Sequence, residues 1–455
     1  MDAHDFTVTG RNVVVVGAAR SGIAAAELLV RRGARVMLTE TRARIEEAPR
    51  LQAIGVQLEL GGHRPATLAA ADLIVVSPGV DVDQPLFETA RRRGVEMIGE
   101  LELAWRWLRG RVIAITGTKG KSTTTTLVGR MLRAEGRQVL VGGNIGVPLS
   151  AQVEGSAPET IHVVEVSSFQ LETTVWFRPW IAVWVNFADD HLDRHPSVDA
   201  YASAKARIFA NQTHEDWAVV NADDRVVMER SAHIAARRVV FSPSGRVAAG
   251  FLVEGDWIVR RTTTGSERLI PTGAVELAGR HMLDNVVVAS AVSWLAGAKP
   301  AAMAEGLRGF RGLEHVMEPA GEIGAVRFVN DSKATNVEAA LRSIESFPSG
   351  VVAIIGGRYK GGDFGELRGA LAAHGRAVVS IGEAASRVRE ALRDVVPVIE
   401  ASSMKEAVER AYDAARPDGI VLLAPACSSF DWFRDYADRG RVFKEEVERL
   451  KGSEQ

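Results

Sequence analysis

The stretch VIAITGTKGKSTTTTLVGRMLRA, residues 112–134, decides the fold. Val112–Ile115 is a short β-branched run that reads as a buried strand, and Thr124–Ala134 reads as a helix. Between them lies Thr116-Gly117-Thr118-Lys119-Gly120-Lys121-Ser122-Thr123. Glycines there let backbone N–H groups approach an anion, and the helix N-terminus adds favourable potential for negative charge. Lys121 can neutralise β- and γ-phosphates, and the Ser122 hydroxyl can ligate Mg²⁺. The spacing G-x-x-G-K-S is two residues shorter than the general phosphate-loop pattern. Alone it is compatible with an ordinary helix-capping turn, and the flanking strand and helix favour phosphate binding.

Working outward, the same strand–helix alternation fills the chain. Before the loop, Val13–Val16, Arg35–Thr39, Leu73–Val76 and Val95–Ile98 read as parallel strands, with Ile23–Arg32 an amphipathic helix. After it come Val139–Val141, His162–Val166 and Ala182–Asn186. A third series holds Arg327–Asn330, Val351–Ile355, Ala377–Ile381 and Ile420–Ala424, while Trp217–Glu276 reads as short strands forming a small extra sheet. The expectation is an α/β protein of three domains, 1–99, 100–312 and 313–455, the central one built on the phosphate loop. The length of 455 residues fits that number.

Composition excludes several classes. Hydrophobic residues make up 46%, charged residues 25% and the net charge is −2, with no basic track for nucleic acid. The single cysteine, Cys427, has no internal partner and fits a reducing compartment. Met1–Val16 lacks a basic segment followed by a long apolar stretch, so no signal peptide is expected. The longest apolar runs, such as Trp180–Val185 and Ile420–Pro425, are too short to span a bilayer.

Other loops carry candidate chemistry. Gly17-Ala18-Ala19-Arg20-Ser21-Gly22 follows the first strand and Glu40 ends the second. A dinucleotide fingerprint wants glycine where Ala19 stands, so a plain βα-turn and a nucleotide site both remain open. Ser77-Pro78-Gly79 adds a second loop at the same sheet edge, where ligands of such sheets bind. Glu165 lies inside an apolar strand, which is costly unless the carboxylate is paired or bound to metal. With His191, in Asp189-Asp190-His191-Leu192-Asp193, it forms a candidate ligand set for Mg²⁺. Asp189 and Asp193 read as solvated loop acids.

These runs together resemble the Mur ligase family. The residues carrying the resemblance are Ser77–Gly79, Gly117–Thr123, Gly142-Gly143-Asn144-Ile145-Gly146, EVSSFQLET at 165–173, DHLDR at 190–194, NDSKATN at 330–336 and Pro425–Ser429. EVSSFQLET and NDSKATN resemble the D-glutamate-adding branch. The resemblance covers the whole chain. It implies a Rossmann-like N-terminal domain binding a UDP-linked substrate, a central ATPase domain and a Rossmann-like C-terminal domain binding an amino acid. It further implies a cytoplasmic enzyme of peptidoglycan precursor synthesis that uses ATP and two Mg²⁺. Its substrates would be UDP-N-acetylmuramoyl-L-alanine and D-glutamate, joined through an acyl phosphate. Neither nucleic acid nor membrane insertion is implied, and a monomer is expected.

Carried over residue by residue, Lys121, Ser122 and Glu165 match phosphate and first-metal positions. His191 matches a metal- and substrate-facing position, and Lys205 a lysine carrying a carbamate. Asn285 and Asp331 match ATP contacts. Ser21, Thr41, Arg42, Ser77, Gly79 and Asn144 match contacts to the UDP-sugar. Lys333, Thr335, Lys360, Ser429, Phe430 and Tyr436 match the D-glutamate pocket, although Lys360 also reads as a loop lysine and Tyr436, where the family has phenylalanine, as core. Two departures stand out. Lys119 replaces the family's asparagine in the phosphate loop, and Val316 replaces an arginine near the ATP phosphates, which implies weaker ATP binding or a substitute cation. A folylpolyglutamate synthase would lack the βαβ unit before Gly117. An oxidoreductase built on Gly17–Glu40 would bind nicotinamide, and a non-catalytic nucleotide binder would not need Lys121, Glu165 and His191 together.

Overall fold

The computed structural model describes residues 6–188, 194–275, 280–310, 312–359 and 362–453, without the side chains of 280 and 281. The first sheet contains β1 (Asn12–Val16), β2 (Arg35–Glu40), β3 (Gln57–Leu60), β4 (Leu73–Val76) and β5 (Glu96–Gly99), all parallel, in the order β3-β2-β1-β4-β5. Both faces are covered, as the unbroken β-branched run of β1 requires. Val13 and Val15 pack with Leu29 and Leu38 on one face, Val14 and Val16 with Ile74 and Phe87 on the other.

The second sheet holds β6 (Arg111–Thr116), β7 (Val139–Gly143), β8 (Ile161–Glu165), β9 (Ile181–Trp184), β10 (Trp217–Asn221), β11 (Arg237–Ser242), β12 (Gly250–Glu254), β13 (Trp257–Thr262) and β14 (Gly265–Pro271). Its order is β14-β13-β12-β11-β10-β9-β6-β8-β7. The expected small extra sheet is thus not separate. Its hairpins join the main sheet through two residue pairs, Phe241 with Phe251 and Ser242 with Leu252, and antiparallel pairing continues from there. Alternation in the sequence marks hairpin strands, but it does not say which edge they adopt.

Residues Met1–Phe310, with the first two sheets, form one compact unit. Its seam is the short helix Glu100–Trp105 following β5. The buried Glu102 carboxylate accepts the Val175, Trp176 and Phe177 amides at 2.9–3.1 Å and pairs with Arg106 at 2.9 Å. The Arg106 guanidinium lies 4.5 Å from the Phe6 ring, 4.1 Å from the Trp176 ring and 2.8 Å from Glu96. Glu100, fully buried, accepts the Ser150 amide at 2.6 Å, and burial raises its pKa.

Arg311–Gln455 form the other unit. Its sheet contains β15 (Glu318–Ile323), β16 (Val326–Asn330), β17 (Val351–Gly356), β18 (Gly375–Ile381), β19 (Val398–Glu400) and β20 (Ile420–Leu423), in the order β15-β16-β20-β17-β18-β19. Val351, Ala353 and Ile355 face one core layer, Val352 and Ile354 the other. Among the described residues no helix is long and apolar enough to cross a membrane.

Candidate active site

The phosphate loop lies between β6 and the helix Lys121–Ala134, which starts at Gly120 with φ +77°. A side chain at Gly120 would be strained, and its Cβ would meet Asn285 Oδ1 at 2.2 Å. Asn285 thus lies against the loop, accepting the Thr124 hydroxyl at 3.3 Å. The loop's shape is fixed by Asn186, at the end of β9. Its Oδ1 accepts the Thr118 and Lys119 amides at 3.1 and 2.8 Å, and its Nδ2 donates to the Lys119 carbonyl at 3.1 Å. The Lys121 ammonium bends over the loop to the Gly117 and Thr118 carbonyls, at 2.9 and 3.0 Å. Lys205, on the helix Val198–Ala206, is buried and donates to the same Gly117 carbonyl at 2.7 Å. Thr123 is buried in the helix's first turn.

Ser122 Oγ donates to Glu165 Oε2 at 2.5 Å, and Asn144 Nδ2 donates to Glu165 Oε1 at 2.8 Å. The strand carboxylate is therefore hydrogen-bonded on both oxygens. Two hard oxygen donors, one of them anionic, meet where the helix begins. That pair fits Mg²⁺, which takes few protein ligands and completes its shell with phosphate and water. Among the described residues no group of three His, Cys, Asp or Glu could hold a metal on its own. His191 lies outside the described residues.

Asn144 also lines a cavity of about 520 Å³ at the C-terminal edge of the first sheet. Ser21, Thr41, Arg42, Ser77 and Gly79 line it too, so all six residues expected to touch a UDP-sugar meet there. Ser77 Oγ donates to the Gly17 carbonyl at 3.1 Å, and a Cβ at Gly22 would lie 1.9 Å from that oxygen. The Ser77 loop and the first turn are thereby tied together. Glu40 holds the wall itself. Its carboxylate receives the Ala18 amide at 2.8 Å, the Thr41 hydroxyl at 2.9 Å and the Arg42 guanidinium at 3.1 Å. Burial pushes the Glu40 pKa up, but these bonds and the Arg42 amide outweigh burial and bring it to about 2.

In the second unit, β16 leads into Asp331–Asn336 and β20 into Pro425–Phe430. Ala426 N donates to the Ala334 carbonyl at 2.9 Å, bringing the two loops together. The buried Arg439 clamps them, donating to Ser332 Oγ at 3.0 Å, the Ser332 carbonyl at 2.9 Å and the Cys427 carbonyl at 3.1 Å. Burial lowers its pKa to about 10. Lys333, Thr335, Ser429 and Phe430 lie on these loops, Ser429 buried and Phe430 exposed. Tyr436 accepts the Ser332 hydroxyl on its carbonyl at 2.8 Å, with its ring edge-on to His315 at 6.2 Å. Asp331 is buried, accepting the Met317 amide at 3.2 Å and the Ser343 hydroxyl, and burial raises its pKa. Val316 is half-buried between His315 and Met317, both at positive φ (+64° and +45°). Lys360 lies outside the described residues.

Four residues with evident roles escape the sequence reading. Asn186 is visible only as a strand end. Arg439 sits in a charged helix like any surface arginine. Tyr201 joins Lys205 to the loop, its ring 4.5 Å from Lys205 Nζ and its hydroxyl 3.4 Å from Thr118 Oγ1. His63 lines the cavity after β3, a strand whose half-exposed QLEL pattern gives little signal.

Residues 115–293 match the Mur ligase middle domain, 11–99 the MurD-like N-terminal domain of Mur ligases, and 317–427 the glutamate ligase domain of Mur ligases. The chain is 45% identical over 449 residues to the UDP-N-acetylmuramoylalanine–D-glutamate ligase of Acidobacterium capsulatum, covering 98% of this chain and 97% of that one. It is 41% identical over 446 residues to the ligase of the same name from Koribacter versatilis, covering 97% and 98%. Its fold is similar to that of the UDP-N-acetylmuramate–alanine ligase of Thermotoga maritima, with TM-score 0.57, 19% identity and coverage of 97% and 100%. The loop after β6, joined through Glu165 to the cavity of the first sheet, together with these matches along the chain, places the protein in the Mur ligase family.

Proposed function

We infer that the chain is an ATP- and Mg²⁺-dependent ligase that adds D-glutamate to UDP-N-acetylmuramoyl-L-alanine in cytoplasmic peptidoglycan precursor synthesis. One observation carries the reading: the hydrogen-bonded run Ser122–Glu165–Asn144, which leads from the phosphate loop to the wall of the 520 Å³ cavity. It supports a γ-phosphate and an acceptor carboxylate held side by side. The names of the relatives at 41–45% identity support the choice of substrates.

The chemistry has two steps. The alanyl carboxylate oxygen attacks the γ-phosphorus, the bond to the β-phosphate oxygen breaks, and ADP leaves. The D-glutamate amine then attacks the acyl phosphate carbonyl. Inorganic phosphate leaves with the bonding pair, and the amine loses a proton. Both steps build negative charge on oxygen. Lys121 and the amides of Gly117–Thr123 would bind the phosphates, with Asn285 and Asp331 as further ATP contacts. Ser122 and Glu165 would hold one Mg²⁺, His191 and a carbamate on Lys205 the second. Bound Mg²⁺ supplies positive charge to the phosphoryl oxygens. Ser21, Thr41, Arg42, Ser77, Gly79 and Asn144 would hold the UDP-sugar. Lys333, Lys360 and Thr335, with Ser429, Phe430 and Tyr436, would hold D-glutamate, since a dicarboxylate needs cations and hydroxyls at both ends. The domains are assigned as 1–99 for the UDP substrate, 100–312 for ATP and 313–455 for the amino acid, in a monomeric chain.

The test is phosphate release from ATP across UDP-sugar acceptors and amino acids. Turnover is expected with UDP-N-acetylmuramoyl-L-alanine and D-glutamate. Turnover with L-lysine or diaminopimelate but not D-glutamate would overturn the assignment.

A further inference from the structure

Behind the phosphate loop, β10 runs parallel to β9 with Val220 beside Trp184. The turn Asn221-Ala222-Asp223-Asp224 after β10 therefore lies beside Val185–Ala188, the segment after β9. Short Asn and Asp side chains bond readily to nearby backbone in such turns. Two of them reach across to the neighbouring segment. Asn221 Nδ2 donates to the Val185 carbonyl at 2.9 Å, and Asp224 Oδ2 accepts the Phe187 amide at 2.6 Å. Asn186 lies between, so both of its chain neighbours are held from the β10 turn.

The held segment is the one that grips the phosphate loop. Besides its side-chain bonds, Asn186 accepts the Thr118 amide on its carbonyl at 3.1 Å. Ala188 donates its amide to Thr118 Oγ1 at 3.0 Å and accepts that hydroxyl on its carbonyl at 3.1 Å. The Phe187 ring lies 5.2 Å from that of Tyr201, which in turn meets Thr118 and Lys205. The two aspartates of the turn face different ways. Asp223 binds the β11 side, accepting the Ser242 hydroxyl at 2.7 Å, the Ser244 amide at 2.8 Å and the Ser244 hydroxyl at 2.6 Å. Asp224 uses one oxygen to cap the helix Arg225–Arg230, accepting the Val227 amide at 3.2 Å, and the other to hold Phe187.

We propose that Asp224 is a positioning residue for ATP, acting through Phe187 and Asn186 on the phosphate loop. The inference rests on the ATP-dependent ligase reading above. Capping alone does not call for a carboxylate, since serine or asparagine caps a helix as well. Two backbone amides approaching from different elements do call for one. An asparagine would turn its NH₂ toward one of those donors, and a serine has a single oxygen.

The test uses the full-length enzyme with UDP-N-acetylmuramoyl-L-alanine and D-glutamate, reading kcat/KM for ATP and, by calorimetry, the affinity for Mg·ATP. Asp224→Ser keeps a cap and drops Phe187. It should lower kcat/KM for ATP about tenfold, the worth of one hydrogen bond to a charged group, and weaken Mg·ATP binding, with KM for D-glutamate unchanged. Asp224→Ala should melt lower than Asp224→Ser, having lost the cap too, yet lose no more activity. Asp223→Ala, the control on the other side of the turn, should lower the melting temperature and leave both ATP constants unchanged. Added to Asn186→Ala, Asp224→Ser should cost little more, because residues acting through one another are not additive. Wild-type ATP constants in Asp224→Ser, losses that add in the double variant, or an equal loss in Asp223→Ala would each overturn the inference and leave the ligase reading standing. A wild type that binds Mg·ATP but joins no D-glutamate overturns the ligase reading and leaves the inference to be decided by the affinities. A wild type that does not bind Mg·ATP overturns both.

Discussion

Replacing Lys205 by alanine tests how the site handles positive charge. Lys205 and Lys121 donate to one carbonyl oxygen, that of Gly117, at 2.7 and 2.9 Å. Their nitrogens are therefore at most about 5.6 Å apart, the sum of those two distances. Two ammonium groups at that separation repel by about 3 kcal/mol or more at an effective dielectric near 20, and Mg²⁺ beside them would add to it. Reaction of a neutral Lys205 amine with CO₂ reverses the sign. It leaves one N–H for the Gly117 carbonyl and turns the repulsion from Lys121 into attraction. The carbamate would then support metal through its oxygens, and groups that support a metal are typically worth about 10- to 100-fold in activity. Lys205→Ala should therefore lose about that much in phosphate release. Acetate should partly restore it, and bicarbonate depletion should slow the wild type. A thermal melt of the variant separates loss of chemistry from loss of fold. Full activity in Lys205→Ala would refute the reasoning. So would a loss that acetate does not relieve, in an enzyme indifferent to bicarbonate.

Val316→Arg should lower the Michaelis constant for ATP about tenfold or more, since a charged hydrogen bond contributes about 1.5–3 kcal/mol; an unchanged constant would mean that another cation already serves there. Asn186→Ala removes three hydrogen bonds from the phosphate loop and should reduce kcat/KM for ATP at least about tenfold, with KM for D-glutamate unchanged; equal losses for both substrates would count against it. Glu40 has a folded pKa near 2 against an ordinary 4.5, so it stabilises the fold above about pH 4.5, and that contribution is lost as pH falls toward 2. Allowing for solvent screening at the cavity mouth, it contributes about 1–2 kcal/mol. Glu40→Gln should melt lower than the wild type at pH 7, with the gap closing between pH 4.5 and 2; a gap independent of pH would exclude the linkage.

Much of the fold was legible because its central strands are fully buried. Val13–Val16 and Val351–Ile355 carry the unbroken apolar runs that parallel strands need. Edge strands β3, β15 and β19 carry mixed patterns, such as QLEL and EPAGEI, that give no strand signal. Their pairing is settled by neighbours distant in sequence. The helix carrying Lys205 runs from Val198 to Ala206 and tightens into a 3₁₀ turn over Arg207–Phe209. At the site, Lys121, Ser122 and Glu165 stood out because glycine spacing and a carboxylate in an apolar strand are local signals. Asn186 and Arg439 act by reaching loops tens of residues away or more, and nothing adjacent to them in the chain records that reach. The Arg439 helix, YADRGRVFKEEVERLKGS, carries many charges, and only the packing distinguishes the one that is buried.

The seam around Glu102 bears on how such enzymes can be recombined. Three amides from the 175–177 segment, the Arg106 guanidinium and the rings of Phe6 and Trp176 depend on one carboxylate and its partner. A chimera cut at Gly99 would pair a foreign first sheet with this helix and strand Arg106 away from Phe6 and Glu96. A buried ion pair that loses its surroundings is destabilising by several kcal/mol. A first sheet borrowed from a relative would therefore have to supply Phe6 and Glu96 to match the Glu102, Arg106 and Trp176 that remain here. A crossover placed near Phe310, where the first compact unit ends, leaves that set intact.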